Sequence, residues 1–329
     1  MNEPVKPRPD AMGEGMTQSR AATAPAAEPA TPLATKVSTA GDHLPKMQRL
    51  YSSPETAPQV IPSAFQFLNN NMGGWRGGLH LLSGEPGSGK TSFALSNAAV
   101  AAAAGFPVLY LSFDLQAEFL VLKLLCQQAD LNCRDMIDGR LGEDVLKAAS
   151  EAHAETFSRI KVVEADPELP NEKAEDLARE MIAASEQDKI LVIVDYLQIW
   201  AAGSREFSEF RHEIAKLTTA MRRLALSLDS PVLAISSQNR QHQGEAVLVS
   251  LEGTSDLEYS ADTITFLVNV ERPSSQGSYT HPDDLITKSR SISVNLRKNR
   301  FGDGGSRMVK FLPATGAFDE ETVRRPFAS

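Results

Sequence analysis

Apolar and polar positions follow two alternating periodicities along most of the chain. Short apolar runs, typical of strands buried on both faces of a sheet, alternate with longer segments whose apolar residues recur at helical spacing. Strands are predicted at residues 79–82, 108–113, 160–163, 190–194 and 231–235, and helices between them at 91–104, 117–129, 171–185 and 207–228. This order predicts an α/β fold with a mostly parallel central sheet flanked by helices.

The last third of the chain has a different pattern. Residues 263–270, 291–296 and 308–312 read as strands without long helices between them. The glycine-rich segment 302–305 is typical of a hairpin turn. We therefore expect the sheet to end in antiparallel C-terminal strands. Residues 272–290 are polar and contain Pro, Ser and Gly, which predicts an exposed loop.

Composition divides the chain into three segments. Residues 1–45 contain seven of the nineteen prolines, nine alanines and no aromatic residue, so a disordered tail is predicted there, either a spacer or a partner-binding arm. Residues 46–318 are predicted to form one folded domain, which begins with a short helix and turn before the first strand. Residues 319–329 are predicted to be a C-terminal tail.

Charge, cysteine content and hydropathy limit the partners, the metal sites and the cellular compartment that we expect for this protein. The net charge is −9, so any contact with nucleic acid must be local rather than driven by an overall positive field. Cys126 and Cys133 show no metal-binding spacing, and we expect reduced thiols and no structural zinc. No secretory signal pattern and no run of 18 apolar residues is present. These features predict a soluble, cytoplasmic protein with no membrane partner.

A complete phosphate-binding motif lies between the predicted strand 79–82 and the predicted helix 91–104. It consists of Gly84, Glu85, Pro86, Gly87, Ser88, Gly89, Lys90 and Thr91. In such a P-loop, backbone N–H groups surround the phosphates, the lysine reaches the β- and γ-phosphates, and the hydroxyl binds magnesium. The alternative is a glycine-rich turn that happens to contain a lysine. The motif predicts ATP and Mg²⁺ as cofactors.

Two carboxylates follow predicted strands and are candidates for the same site. Asp195 ends the strand 190–194 and is predicted to bind magnesium. Asp114 follows the strand 108–113 and is predicted to activate the attacking water, because strand ends in such sheets open toward the nucleotide. The alternative for either residue is a helix cap.

Five further motifs follow the P-loop along the chain, at residues 109–114, 193–198, 235–240, 251–264 and 296–302. In these motifs, and in their unbroken order, the chain resembles the C-terminal ATPase domain of DnaB-type replicative helicases over about residues 60–315. The resemblance implies a RecA-like P-loop NTPase fold, a hexameric ring with ATP between neighbouring subunits, and movement along single-stranded DNA.

The resemblance also assigns roles to individual positions. Asp114 falls where the family usually has a catalytic Glu, and Asp195 in the magnesium shell. Ser237 falls where the family has a Gln that senses the γ-phosphate, and Gln238 is one position later and is a candidate substitute.

Lys298 and Arg300 match the pair that one subunit presents to the ATP of its neighbour. A basic pair beside a hairpin turn could neutralise charge on the γ-phosphate. The alternative is that they are solvated strand charges.

Two differences from the family leave a second function open. Ahead of the ATPase domain we expect only the disordered tail and a short segment in place of the family's separate N-terminal domain. The segment 240–262 contains five acidic residues and one arginine, with Glu252 where the family has an Arg. The leading hypothesis is an ATP-driven, DnaB-like motor on single-stranded DNA, with a possible replication or other protein partner. The alternative is a RecA-like switch or assembly ATPase that does not unwind DNA. A small-molecule kinase is disfavoured because no second basic lid is found.

Overall fold

The computed structural model describes residues 37–53, 56–201, 207–238, 245–248, 251, 255–270 and 288–320. The chain divides into two compact units, residues 1–58 and 59–329. The first unit contains helix α1 (Ala40–Tyr51), which begins with a capping box between Thr39 and Asp42. The predicted boundary after residue 45 therefore falls inside α1, and residues 40–45 are helical rather than disordered.

The second unit is built on one nine-stranded sheet. Its strands are β1 (Gly78–Gly84), β2 (Val108–Ser112), β3 (Ile160–Glu164), β4 (Leu191–Asp195), β5 (Pro231–Ser237), β6 (Thr263–Asn269), β7 (Arg290–Asn299), β8 (Gly305–Leu312) and β9 (Ala317–Asp319). Their order across the sheet is β3-β2-β4-β5-β1-β6-β7-β8-β9. Neighbours from β3 to β6 are parallel, and β6 to β9 are antiparallel. The predicted fold class is confirmed.

Helices cover both faces of the sheet. They are α2 (Gln66–Met72), α3 (Lys90–Ala103), α4 (Ala117–Gln128), α5 (Cys133–Ile137), α6 (Glu143–Ser158), α7 (Asn171–Ala183), α8 (Leu197–Ala201), α9 (Phe207–Ser227) and α10 (Ser255–Ser260). Alternate residues of one strand belong to different cores: Tyr110 packs with α3 and α4, and Leu109 packs with α7 and α9. Among the described residues, no helix is long and apolar enough to cross a lipid bilayer.

The C-terminal boundary differs from the prediction. Asp319 pairs with Lys310 in the sheet, and the carboxylate of Glu320 accepts hydrogen bonds from the backbone N–H groups of Gln66 and Phe67 at 2.7 and 2.9 Å. The predicted tail 319–329 therefore begins inside the folded unit, and residues 321–329 lie outside the described residues. The predicted 272–290 loop also lies outside them, apart from residues 288–290.

Candidate nucleotide site

The P-loop connects β1 to α3 through a backbone that requires glycine. Gly89 has φ of 88°, a left-handed conformation that other residues rarely adopt, and it directly precedes α3. A Cβ atom at Gly84 would lie 2.6 Å from the carbonyl oxygen of Leu267 on β6. The first N–H groups of α3, which have no partner within the helix, therefore face the loop and form a site for an anion.

Aromatic residues from the end of the chain support the P-loop from behind. The Phe318 ring on β9 contacts the rings of Phe65, Phe93 and Phe311. A Cβ atom at Gly89 would lie 2.9 Å from the edge of Phe318. The absence of a side chain at Gly89 therefore lets β9 pack directly against the loop.

The Lys90 side chain lies against the loop itself. Its Nζ atom donates to the carbonyl oxygens of Gly84 and Glu85 at 2.8 and 3.0 Å. Burial lowers the pKa of Lys90, and the negative charges of Asp195 and Glu85 act in the opposite direction. The loop thus holds the Lys90 ammonium group next to the first turn of α3, where it can pair with a bound phosphate.

Asp195 is a buried carboxylate at the end of β4. Tyr110 donates a hydrogen bond from its hydroxyl to Oδ2 of Asp195 at 2.7 Å. Burial raises the pKa of Asp195, and the hydroxyls of Tyr110 and Thr91 and the positive charge of Lys90 oppose the rise. The hydroxyl of Thr91 and the carboxylate of Asp195 are adjacent hard oxygen donors, so the predicted pair fits a magnesium ion.

A cavity of about 500 Å³ extends from the P-loop across the ends of the parallel strands. Its volume lies within the usual range for small-molecule sites. The cavity is lined by Pro86, Gly87, Gly89, Lys90, Thr91, Ser92, Leu95, Asp114, Lys123, Gln127, Cys133, Asp195, Tyr196, Ile235, Ser237, Arg290, Phe311, Pro313 and Gly316. The structure therefore brings together the P-loop side chains of Lys90 and Thr91 with the two predicted carboxylates, Asp114 and Asp195.

The alternative interpretation of Asp114 as a helix cap is wrong. Helix α4 has Gln116 at its N-cap position, and the backbone N–H of Ala117 donates to the Glu164 carboxylate of β3 at 2.8 Å. Glu164 therefore satisfies the N-terminus of α4. Asp114 instead lines the cavity, as a water-activating group must.

The two candidates for the γ-phosphate sensor lie in different surroundings. Ser237 lines the cavity at the end of β5, and its backbone N–H donates to Oε1 of Gln198 at 3.0 Å. The Gln238 side chain is buried, and its Nε2 atom donates to the carbonyl oxygen of Glu245 at 2.7 Å. Gln238 is not among the described residues that line the cavity, so the proposed substitution by Gln238 is not supported by the position of its side chain.

Lys298 and Arg300 lie at the opposite end of the sheet from the P-loop. Arg300 forms an ion pair with Asp262 at 3.0 Å and donates to the carbonyl oxygen of Tyr259 at 2.9 Å, and Lys298 donates to the carbonyl oxygens of Glu258 and Tyr259. Asp262 accepts from the N–H of Leu79, at the beginning of β1, whereas the P-loop starts at the end of that strand. Five residue steps of β-strand, about 17 Å, separate these points.

Sequence patterns did not indicate several residues that shape the site. The sequence places Tyr110 in a predicted strand and in the motif 109–114, and Gln198 in the motif 193–198, but it gives neither residue a role in the site, and Glu164 lies in no motif. Gln198 joins the ends of β4 and β5, because its Nε2 atom donates to Oγ of Ser236 at 2.8 Å while its Oε1 atom accepts from Ser237. A polar residue within an apolar strand, such as Tyr110, was the available signal.

Comparisons with known proteins agree with this geometry. The family model of the DnaB-like helicase C terminal domain matches residues 60–320. The replicative DNA helicase DnaB of Geobacillus stearothermophilus is 24% identical over 270 residues, which are 78% of this chain and 56% of the relative. The replicative DNA helicase DnaC of Bacillus subtilis (strain 168) is 25% identical over 264 residues, with the same two shares. The chain thus spans about half the length of these curated relatives.

Solved structures show the same fold. One solved ATPase domain superposes with a TM-score of 0.72 at 20% identity, covering 87% of this chain and 99% of that one. A DnaB-like replicative helicase, solved in a study of its interactions with primase, gives a TM-score of 0.70 at 20% identity and covers 86% of this chain and 67% of that one. These likenesses identify a RecA-like ATPase fold. The family model matches well over half of the 329 residues of this chain, and the chain therefore belongs to the family of DnaB-like helicase C-terminal domains.

Proposed function

We propose that this chain is a cytoplasmic, ATP-hydrolysing motor of the DnaB-like helicase type that acts on single-stranded DNA as a hexameric ring. One observation carries the proposal. The P-loop and Asp195 lie at one end of the sheet, and Lys298 and Arg300 lie at the other. A single subunit then presents two halves of a site, which a ring of subunits joins at each interface.

The P-loop half supplies binding and water activation. Lys90 and the N–H groups at the start of α3 bind the phosphates, and Thr91 and Asp195 would hold Mg²⁺. The bound ion would neutralise phosphate charge during hydrolysis. Asp114 accepts a proton from the attacking water, and Ser237 lies at the end of β5 to contact the γ-phosphate.

The Arg300 half supplies positive charge to the neighbouring subunit. Arg300 is 44% exposed, so the guanidinium reaches solvent although Asp262 binds it. Burial lowers the pKa of Lys298, and the positive charge of Arg300 lowers it further. Two cations held this close, on the edge of a subunit, are suited to a partner that carries several negative charges, such as the phosphates of ATP.

The proposed track and partner follow from the named relatives. Two of them are replicative DNA helicases, and one solved structure describes a DnaB-like replicative helicase and its interactions with primase. We accordingly propose single-stranded DNA as the track and a replication protein as a partner. The second candidate, a RecA-like switch without unwinding activity, is favoured by the five acidic residues and single arginine of segment 240–262, which weaken attraction to DNA phosphates.

DNA binding distinguishes the two functions. The experiment measures fluorescence anisotropy of a labelled oligonucleotide at several salt concentrations, with and without a non-hydrolysable ATP analogue, alongside ATP hydrolysis with and without DNA. The motor predicts DNA binding that requires nucleotide and hydrolysis that DNA stimulates. Glu252→Arg should tighten binding and steepen the salt dependence by about 0.7 per added phosphate contact. Glu151→Arg, an exposed change on α6, is the matched control. Hydrolysis that is indifferent to DNA, without any binding, would instead support the switch.

A further inference from the structure

Asp262 connects the beginning of the central sheet to the basic end of the subunit. It lies between α10 and β6, and its side chain is only 8% exposed. The backbone N–H of Asp262 donates to the carbonyl oxygen of Leu79 at 2.7 Å, and the backbone N–H of Arg300 donates to the carbonyl oxygen of Asp262 at 3.0 Å. The main chain therefore fixes Asp262 between β1 and the residue that follows β7.

The two carboxylate oxygens of Asp262 have separate partners. Oδ2 accepts from the backbone N–H of Leu79 at 2.9 Å and pairs with the guanidinium of Arg222. A Cβ atom at Gly78 would lie 2.5 Å from this oxygen, so the absence of a side chain there leaves room for the carboxylate. Oδ1 pairs with Nη1 of Arg300 at 3.0 Å. Because Oδ2 is anchored, the carboxylate is held against rotation and Oδ1 stays directed at Arg300.

The Arg300 guanidinium is in turn held at two points. Nη1 donates to Oδ1 of Asp262, and Nη2 donates to the carbonyl oxygen of Tyr259 at 2.9 Å. A guanidinium carries five N–H groups in one plane, so these two bonds fix the plane and leave further N–H groups for an acceptor outside the subunit. The side chain is 44% exposed. This is the geometry of a cation that is oriented at the surface.

Arg222 already balances the buried charge of Asp262. A buried carboxylate needs a partner of opposite charge, and Arg222, whose side chain is 28% exposed, supplies one. The contact with Arg300 is therefore not required for charge balance. Its effect is to restrict the Arg300 side chain, which would otherwise sample many rotamers at the surface.

We propose that Asp262 is a positioning residue for ATP hydrolysis: it holds the guanidinium of Arg300 in the orientation that reaches the nucleotide of a neighbouring subunit. The inference rests on the proposed function, in which Arg300 acts in trans. The preformed orientation reduces the entropy that is lost when the guanidinium stabilises charge on the γ-phosphate. Asp262 itself does not touch the nucleotide, so it affects hydrolysis only through the subunit that supplies the arginine.

The test separates the two roles of a subunit by mixing variants and measuring phosphate release. A Lys90→Ala subunit can supply only the arginine, and an Arg300→Ala subunit can supply only the P-loop. Asp262→Asn is introduced into one or the other. In the Lys90→Ala subunit it should reduce the recovered turnover at least about tenfold, since misplacing a catalytic group by about 1 Å can cost about 100-fold. In the Arg300→Ala subunit it should leave the recovery unchanged.

The outcomes distinguish this role from the proposed function. A smaller fall with Asp262→Asn in the arginine-supplying subunit would overturn the positioning role alone. No recovery in the mixture of Lys90→Ala with Arg300→Ala, in subunits shown to mix, would contradict action in trans and the positioning role with it. Asp303→Asn, which changes an exposed carboxylate in the hairpin between β7 and β8, is the matched control and should alter neither mixture.

A second variant decides the matter if Asp262→Asn lowers the recovery in both mixtures, as a disturbed fold would. Arg300→Lys keeps the positive charge but replaces the planar guanidinium by one nitrogen, which cannot bind Asp262, Tyr259 and a phosphate through separate atoms. Introduced into the Lys90→Ala subunit, Arg300→Lys should reduce the recovered turnover by a similar factor. Recovery equal to that given by Lys90→Ala alone would show that charge without orientation is enough, and would overturn the proposal.

Discussion

Mixing two inactive variants tests whether Arg300 acts across an interface. Arg300→Ala removes the cation from one half-site, and Lys90→Ala removes it from the other. Each variant alone should lose about 10³-fold or more in ATP hydrolysis, the usual contribution of a trans-acting arginine. Arg300 pairs with Asp262 beside the start of β1, about 17 Å of strand away from the P-loop, which is too far for an arginine side chain to reach the phosphates of its own subunit.

A mixture of the two variants should recover part of the parent's ATP hydrolysis. In an equimolar mixture whose subunits assemble at random, an interface is complete when an Arg300→Ala subunit supplies the P-loop and a Lys90→Ala subunit supplies the arginine. Each condition holds with probability one half, so about a quarter of the interfaces, and about a quarter of the parent turnover, should return if sites act independently. The assay is steady-state phosphate release from mixtures at several ratios. Turnover equal to the average of the two pure variants, in subunits shown by light scattering to mix, would refute action in trans.

The Arg300→Ala variant should remain folded, so its loss of ATP hydrolysis reports on the site. The Arg300 side chain is 44% exposed, so its ion pair contributes at most about 1 kcal/mol, and Arg222 still pairs with Asp262 after the change. Arg307→Ala removes an exposed arginine from the adjacent strand β8 and is the matched control. The control should keep the parent's turnover, alone and in mixtures.

Three further changes test the site and its support. Asp114→Asn should leave nucleotide affinity near that of the parent and slow hydrolysis about 100-fold, since it removes the proton acceptor; parent-like single-turnover rates would place the base elsewhere. His80 is fully buried with a pKa of about 4, below its ordinary 6.5, so its contribution to stability is complete above pH 6.5 and is lost as the pH falls through 4. Urea titrations from pH 7 to pH 4 should show the parent losing about 3 kcal/mol more than His80→Gln, and parallel losses would contradict this. Asn97→Leu should lower the free energy of unfolding by about 3 kcal/mol or more, because Oδ1 of Asn97 accepts from Ser63, Ala64 and Trp75 in the core; an unchanged urea midpoint would show that these donors find other partners.

The central strands were predictable because local pattern determines them. Five consecutive apolar residues at 190–194 indicate a strand that packs on both faces, and β4 (Leu191–Asp195) is buried throughout. Helix α6 was missed for the opposite physical reason. None of its residues is buried, so its sequence carries no strong apolar stripe. The start of α1 could have been found from Thr39 and Asp42, whose spacing is that of a capping box.

The site was predictable where one segment carries it and less so where strands from different parts of the chain meet. The P-loop is contiguous, so its position followed from the motif and its flanking elements. The hydrogen bond from Tyr110 to Asp195 requires β2 and β4 to be neighbours, which the order of elements alone does not specify. The same holds for Glu164, which reaches α4 only because β3 lies beside β2.

The packing of Phe318 against the P-loop has a consequence for biosynthesis. Glu320 binds the N–H of Gln66 across a sequence separation of 254 residues, and the ring of Phe318 supports a loop that was translated more than two hundred residues earlier. Contacts between residues so far apart in the sequence require a long loop to close, so they form late in folding. A nascent chain that has not yet emerged through its final hairpin lacks the support behind Gly89, so the ability to bind nucleotide should appear only when synthesis of the domain is essentially complete.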